Sequence, residues 1–149
     1  FKLSKLFFVY SFYLLILHGR VLFKKKVFRF NKEIDNNFLS LTNIEANEIV
    51  KKELDSYKKK GVKVIVATAA YEMTAIKVLQ KINVVPDVLV ATRDRVNLKG
   101  ELKLKALDPY VKNVKWAYYG DSNSDIPMFK SASYAYKITG CSIAEIDKT

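Results

Sequence analysis

The chain has 149 residues, half of them hydrophobic, which suits a single domain with a packed core and excludes intrinsic disorder. Its net charge of +11 favours anionic partners, but the lysines are scattered without interleaved aromatic residues, so we expect no nucleic-acid partner. One cysteine and one histidine exclude a disulfide framework, a cysteine zinc site and His-dependent triads, so any chemistry must use carboxylates and lysines.

Residues 1–43 differ in character from the rest of the chain. The apolar run Leu6–Leu17 follows Lys2 and Lys5, as in a signal peptide, but no small-x-small cleavage site comes after it. Twelve apolar residues are too few for a helix to cross a bilayer. The pattern predicts a buried or membrane-facing helix, and a signal peptide is the alternative interpretation.

Helical and strand patterns alternate from residue 44 onward. Thr42 and Glu45 form a capping-box pattern before the first helix, and Pro109 should end or kink the third. The predicted helices cover residues 44–60, 71–82, 100–107 and 125–131, and the predicted strands cover residues 62–68, 86–92, 115–120 and 134–139. This alternation predicts an α/β fold with a parallel sheet and helices on both faces. Ligands of such sheets bind beyond the carboxyl ends of the strands.

Two carboxylates, Asp121 and Asp125, follow the strand "KWAYYG" at that edge. Two nearby carboxylates repel each other, and a hard cation such as Mg²⁺ relieves the repulsion by taking oxygen ligands. The competing interpretation is a polar turn in which Ser124 or Asp125 caps the next helix.

Thr68 and Lys103 are the other candidates. The Thr68 hydroxyl, with the N–H groups of Ala69 and Ala70, could hold a phosphate, although a strand-ending threonine needs no such role. Lys103 is close to a helix start, where a cation is unfavourable unless a negative charge lies nearby. A solvated lysine is the alternative, and Lys99 and Lys105 are close rivals.

The order of these residues resembles the haloacid dehalogenase (HAD) superfamily of phosphohydrolases. "VIVATAA" is similar to its second motif, Lys103 to its third and "YYGDSNSD" to its fourth, over about residues 44–140. The stretch Asn97–Gly100 before the lysine is similar to a phosphoserine-phosphatase-like branch, the HAD domain fused to UbiA-type prenyltransferases. The resemblance implies a HAD-like Rossmannoid three-layer core over residues 44–149 and a helical cap over residues 1–43.

The resemblance also implies a role for each candidate. Asp121 would ligate Mg²⁺ directly, and Asp125 would support the ion or its waters and position Lys103. Thr68 and the Ala69 amide would bind phosphoryl oxygens, while Lys103 would offset the charge of phosphate and nucleophile. The family mechanism is attack by an aspartate on phosphorus, followed by hydrolysis of the aspartyl-phosphate.

The sequence departs from the family at the first motif. The family carries its nucleophile in an Asp-x-Asp-x-Thr motif on the first strand, and no Asp-x-Asp occurs in these 149 residues. We therefore expect the first strand itself to be absent, and this chain to be an inactive piece of a Mg²⁺-dependent phosphatase.

Two other functions are alternatives. One is a non-catalytic or regulatory module of a membrane prenyltransferase, and the other is a degenerate domain that binds a phosphorylated ligand without turnover. The expected partner is a phosphorylated small molecule, with possible membrane association through a fused domain. The expected location is the cytoplasm, including the cytoplasmic face of a membrane.

Overall fold

A computed structural model describes residues 44–93 and 96–147 in full and residues 6–11 by their backbone. Six strands form one sheet in the order β3-β2-β1-β4-β5-β6. The first five strands run parallel, and β6 pairs antiparallel with β5. The strands are β1 Leu6–Ser11, β2 Lys63–Tyr71, β3 Val88–Thr92, β4 Lys115–Gly120, β5 Tyr134–Thr139 and β6 Ser142–Glu145.

The central strand β1 corrects the expectation that the first strand is absent. Leu6–Ser11 pairs with β2 on one side and with β4 on the other. The helix predicted over Leu6–Leu17 is therefore wrong for its first six residues. The prediction failed because a strand in the middle of a sheet that is covered on both faces has a continuous apolar sequence, and a buried helix can have the same sequence pattern. The rest of the predicted cap, residues 1–5 and 12–43, lies outside the described residues.

In the part of the chain that the structure describes, four helices alternate with the strands, and a 3₁₀ turn precedes the last of them. They are α1 Glu48–Lys59, α2 Glu72–Lys81, α3 Glu101–Val111 and α4 Ile126–Ser131, with the 3₁₀ turn at Asn123–Asp125. Helix α1 begins later than predicted because its N-cap is Asn47, whose side chain accepts a hydrogen bond from the N–H of Val50 (3.4 Å). The predicted Thr42 cap lies outside the described residues.

Helix α3 continues through Pro109, where the sequence predicted an end or a kink. Pro109 lies in the last turn, so its missing N–H removes one bond near an end that would fray in any case. The N–H of Lys112 donates to the carbonyl of Asp108 (3.0 Å) and closes that turn. The helix therefore ends two residues beyond the proline, at Val111.

The sheet separates two apolar cores, as a three-layer fold requires. Successive residues of β2 point to opposite faces, so Val64 and Val66 join one core while Ile65 and Ala67 join the other. Helices α1 and α2 cover the first core, and α3 and α4 cover the second. The predicted α/β class with a parallel sheet and helices on both faces is thereby confirmed. No helix of the described residues is long and apolar enough to cross a membrane.

The strand order places a crevice at the middle of the sheet. From β1 the chain builds outward through β2 and β3, and then crosses to the other side of β1 to build β4 and β5. The order reverses between β1 and β4, and ligands of open parallel sheets bind at the carboxyl ends of strands beside such a reversal. The candidate residues predicted from the sequence follow the strands that surround this point.

Candidate functional site

Three strand ends meet at the reversal point. Ser11 ends β1 in register with Ala67 of β2, and the preceding Tyr10 is in register with Tyr119 of β4. Thr68 and Gly120 come directly after these β2 and β4 partners. The ends of β1, β2 and β4 are therefore adjacent along one edge of the sheet.

Lys103 and Asp125 form a buried ion pair on the α3 face of this edge. The Nζ atom of Lys103 donates to Oδ1 of Asp125 at 2.9 Å, and the two residues are only 5% and 1% exposed. The hydroxyl of Tyr118 donates to the same oxygen at 2.8 Å. The rival lysines Lys99 and Lys105 are both exposed, which leaves Lys103 as the buried cation of this helix start.

The second oxygen of Asp125 is held by the turn that precedes it. Oδ2 accepts hydrogen bonds from the N–H and the hydroxyl of Ser122, each at 3.3 Å, in a capping box. Ser124 contacts the Ser122 hydroxyl at 2.6 Å. With four hydrogen bonds, Asp125 has used the acceptor positions of an ionised carboxylate. This side chain therefore fixes the turn and Lys103, and it has no lone pair left to coordinate a metal ion.

Gly120 permits this packing. A Cβ built at this position would lie 2.7 Å from ring atoms of Phe129 and Tyr118, and 3.0 Å from Oδ2 of Asp125. These distances are below any normal carbon contact, so only glycine lets the strand end pass this close to the carboxylate. Close packing around the strand end therefore explains the glycine of the Gly-Asp pair in the sequence motif.

Asp121 follows Gly120 and is half-buried, with its Oδ2 atom shielded from solvent. It stands at the carboxyl end of β4, beside the position where β1 ends. Among the described residues, no three acidic, histidine or cysteine side chains are grouped so as to hold a metal ion. Asp121 is therefore the carboxylate of this edge that could still coordinate one, with Asp125 engaged elsewhere.

Thr68 lies in an irregular part of β2. The register with β3 shifts between Ala67 and Tyr71, so the intervening residues bulge from the ladder. The Oγ1 atom of Thr68 accepts a hydrogen bond from the N–H of Ala70 (3.0 Å), and the carbonyl of Ala69 accepts one from the hydroxyl of Thr92 (2.8 Å). These bonds fix the bulge, one of them through the last residue of β3, and they use the Ala70 N–H that the sequence suggested for phosphate.

Two buried donors of this edge retain hydrogens that no described residue accepts. An ammonium has three donors, and Lys103 uses one of them, toward Asp125. Thr68 is 1% exposed, and its hydroxyl accepts a bond while its own hydrogen finds no acceptor among the described residues. Buried donors are normally paired, so a cation and a hydroxyl with spare donors indicate an acceptor-rich ligand. A phosphate oxygen is such an acceptor.

Tyr118 is the functional side chain that the sequence did not reveal. It is fully buried, stacks edge-to-face on Phe129 (5.5 Å between ring centroids) and bonds Asp125. A tyrosine in a strand predicted to be covered on both faces must find a partner for its hydroxyl. This need for a hydrogen-bond partner was the sequence signal that could have identified Tyr118, and the nearby Asp125 was the acceptor to consider.

Comparison with known proteins agrees with this architecture. A family model for haloacid dehalogenase-like hydrolases matches residues 10–130, and the match starts inside β1. A search of curated proteins found no match.

Two solved structures are similar. A HAD-superfamily hydrolase from Ehrlichia chaffeensis has a TM-score of 0.61 at 17% identity, over 89% of this chain and 87% of that one. A protein described as a HAD-superfamily (subfamily III A) hydrolase from Legionella pneumophila has a TM-score of 0.49 at 15% identity, over 90% of this chain and 65% of that one. The first likeness supports the fold, and the family match covers well over half of the sequence. The chain belongs to the haloacid dehalogenase-like hydrolase family.

Proposed function

We propose that this domain binds a phosphorylated small molecule at the carboxyl edge of its sheet without turning it over through an aspartyl-phosphate. The observation that carries the proposal is the pair of buried, incompletely bonded donors, Lys103 and Thr68, next to a first strand that has no carboxylate. This favours the degenerate phospholigand-binding domain among the alternatives predicted from the sequence.

The first strand gives the reason for expecting no covalent step. The family mechanism places an aspartate at the end of this strand, and here β1 ends at Ser11. The first acidic residue of the whole sequence is Glu33, so no shift of register within β1 could supply a carboxylate. A serine hydroxyl is a weak nucleophile without an adjacent base, and the described residues include no histidine that could act as one.

Magnesium is the cofactor that the family implies, and the described residues fit it poorly. Mg²⁺ needs six oxygen ligands in near-ideal octahedral geometry, usually including one or two carboxylates. Asp121 is one such ligand, but the four hydrogen bonds of Asp125 remove the second. We therefore derive the function from the donors Lys103 and Thr68, and Mg²⁺-dependent hydrolysis is the competing proposal.

A binding and turnover experiment separates these two proposals. Titration calorimetry with inorganic phosphate, and release of phosphate from a generic aryl phosphate with Mg²⁺ present, should show binding without turnover. Thr68→Val keeps the shape of the side chain and removes the donor, so it should weaken phosphate binding about tenfold. Thr139→Val, at the exposed end of β5, is the matched control and should leave binding unchanged.

Two outcomes would contradict the proposal. Steady Mg²⁺-dependent phosphate release that Asp121→Asn abolishes would replace our proposal with the phosphatase. Absence of phosphate binding by a folded protein would reject both the proposed ligand and the site.

The relation to a membrane prenyltransferase is a separate proposal that rests on the resemblance of segments between residues 59 and 129, including Asn97–Gly100. Coding sequence downstream with several apolar stretches of about twenty residues would support it, since each could cross a bilayer as a helix. The cytoplasmic face of a membrane would then be the location of this domain.

A further inference from the structure

Resting on the proposed function, we infer that this site binds phosphate without any divalent cation. The inference departs from the metal dependence that the family resemblance implies. It follows from how the carboxylates of this edge are used, from the missing pair of acids on β1 and from the resulting charge balance.

The first support is the saturation of Asp125. Its Oδ1 atom accepts from Lys103 and Tyr118, and its Oδ2 atom accepts twice from Ser122. A metal ion could coordinate this carboxylate only after displacing at least one of these bonds. The side chain is 1% exposed, so a displaced donor would find no water to replace the lost bond.

The second support is the composition of β1 and of its surroundings. The strand runs through the centre of the sheet to Ser11 with no acidic residue, and none occurs before Glu33. The described residues contain no group of three side chains able to hold a metal. A cation at this edge would keep one protein carboxylate, Asp121, and would depend on water for most of its shell.

The third support is the charge balance. In the arrangement that the family resemblance implies, two first-strand aspartates and a divalent cation accompany the residues equivalent to Asp121, Asp125 and Lys103. Loss of the two aspartates removes as much negative charge as the cation supplied. This chain without a cation therefore presents the incoming phosphate with the same net charge as that arrangement with one.

The donors of the edge then take over the binding of phosphate oxygens. Lys103 is held by Asp125, is 5% exposed, and has two donor hydrogens that no described residue accepts. An ion in a largely desolvated site interacts more strongly than one in water, so a single buried ammonium contributes strongly to anion binding. Thr68 adds a neutral donor from the neighbouring strand.

Calorimetry with inorganic phosphate, in EDTA and again in excess MgCl₂, tests the inference on the intact chain. We expect dissociation constants that agree within about twofold. Binding only in the presence of Mg²⁺ would overturn the inference and leave the proposed phosphate site standing. Absence of binding in both buffers would overturn the proposed function itself, so the two failures are distinguishable.

A pair of variants at the end of β1 tests the charge balance directly. Ser11→Asp returns one carboxylate to this strand end, and Ser11→Asn is the neutral control of the same shape. In EDTA, the aspartate variant should bind phosphate about tenfold more weakly than the asparagine variant, and Mg²⁺ should restore the aspartate variant alone. Equal affinities of the two variants in EDTA would overturn the charge argument, and with it the inference.

Discussion

The two sides of the reversal point differ sharply in how their polar groups are held. On the β4 side, Asp125 is bound by a lysine, a tyrosine and a serine, and Gly120 lets these groups pack closely. On the β1 side, the strand is present and central, but it ends at Ser11 without a carboxylate. The carboxylate of the β4 side is thus fixed by several hydrogen bonds, whereas the end of β1 offers no carboxylate.

This difference indicates which residues the fold itself requires. Lys103 and Asp125 join α3 to the turn before α4, and Tyr118 joins both to the sheet. These contacts hold the second core together whether or not phosphate is turned over.

The largest expected effect comes from breaking the buried pair on the β4 side. Lys103→Met leaves Asp125 as a buried carboxylate without its cation, and such a change typically costs about 3–5 kcal/mol of unfolding free energy. Urea denaturation followed by tryptophan fluorescence measures it, because Trp116 lies in the same core.

The controls distinguish loss of the pair from loss of the lysine stem. Lys105→Met, on the same helix but exposed, should change stability by no more than about 0.5 kcal/mol. Lys103→Met combined with Asp125→Asn removes both charges and should recover a large part of the loss. If the single Lys103 variant is as stable as the unmodified chain, the pair has no structural role.

The sequence predicted the alternating core because its strands are short, β-branched or aromatic runs between helices with clear starts and ends. It also selected Thr68, Asp121 and Asp125, because the carboxyl ends of parallel strands lie at one edge of the sheet. Lys103 was selected as a cation near a helix start. Pairing of Lys103 with Asp125, in preference to Lys99 or Lys105, needed the structure. Lys103 and Lys105 differ in the direction each takes from the helix surface, and Lys99 precedes the helix.

The first strand was missed for a different reason. Leu6–Ser11 belongs to an apolar run with neither a period of two nor a helical period, and such a run is compatible with a strand or a helix. The absent Asp-x-Asp then removed the motif that would have identified it. The short β6 was also missed, because its four residues are mostly exposed, although Gly140 with φ +58° marks the turn before it.

A smaller effect on the β4 side is expected from Tyr118→Phe. The change removes one hydrogen bond to Asp125 and leaves the ring on Phe129, so only the hydroxyl is tested. A bond to a charged acceptor contributes about 1.5–3 kcal/mol, and the free energy of unfolding in urea should fall by that amount.

The adjacent tyrosine of β4 provides the matched control. Tyr119→Phe alters a hydroxyl on the opposite face of the same strand, where it contacts Tyr57 and Glu53 at 3.3–3.4 Å in a less buried setting. Its cost should be smaller than that of Tyr118→Phe, and it should leave phosphate binding unchanged. The reverse order of the two costs would contradict the role we assign to Tyr118.

The smallest effect is a pH dependence on the α1 face, away from the phosphate site. Burial raises the pKa of Tyr57 above its ordinary value of 10.0, and Glu53 nearby raises it further, although the bond to Tyr119 acts in the opposite sense. Burial likewise raises the pKa of Tyr136, which stacks on Tyr119 at 4.6 Å between ring centroids. The folded state therefore favours the neutral phenols.

The sign of the effect on stability follows from these directions. A group with a raised folded-state pKa contributes its full stabilisation below the unfolded value, here 10.0, and loses it as the pH rises through the folded value. The free energy of unfolding should therefore decline above pH 10, and Tyr57→Phe should make that decline shallower. Denaturation in urea at a series of alkaline pH values measures the slope, while phosphate titration at neutral pH should not distinguish the variant from the unmodified chain. If the Tyr57→Phe protein shows the same alkaline slope as the unmodified chain, the ionisation of this phenol is not linked to unfolding. If its phosphate affinity is altered, the two faces of β4 are coupled.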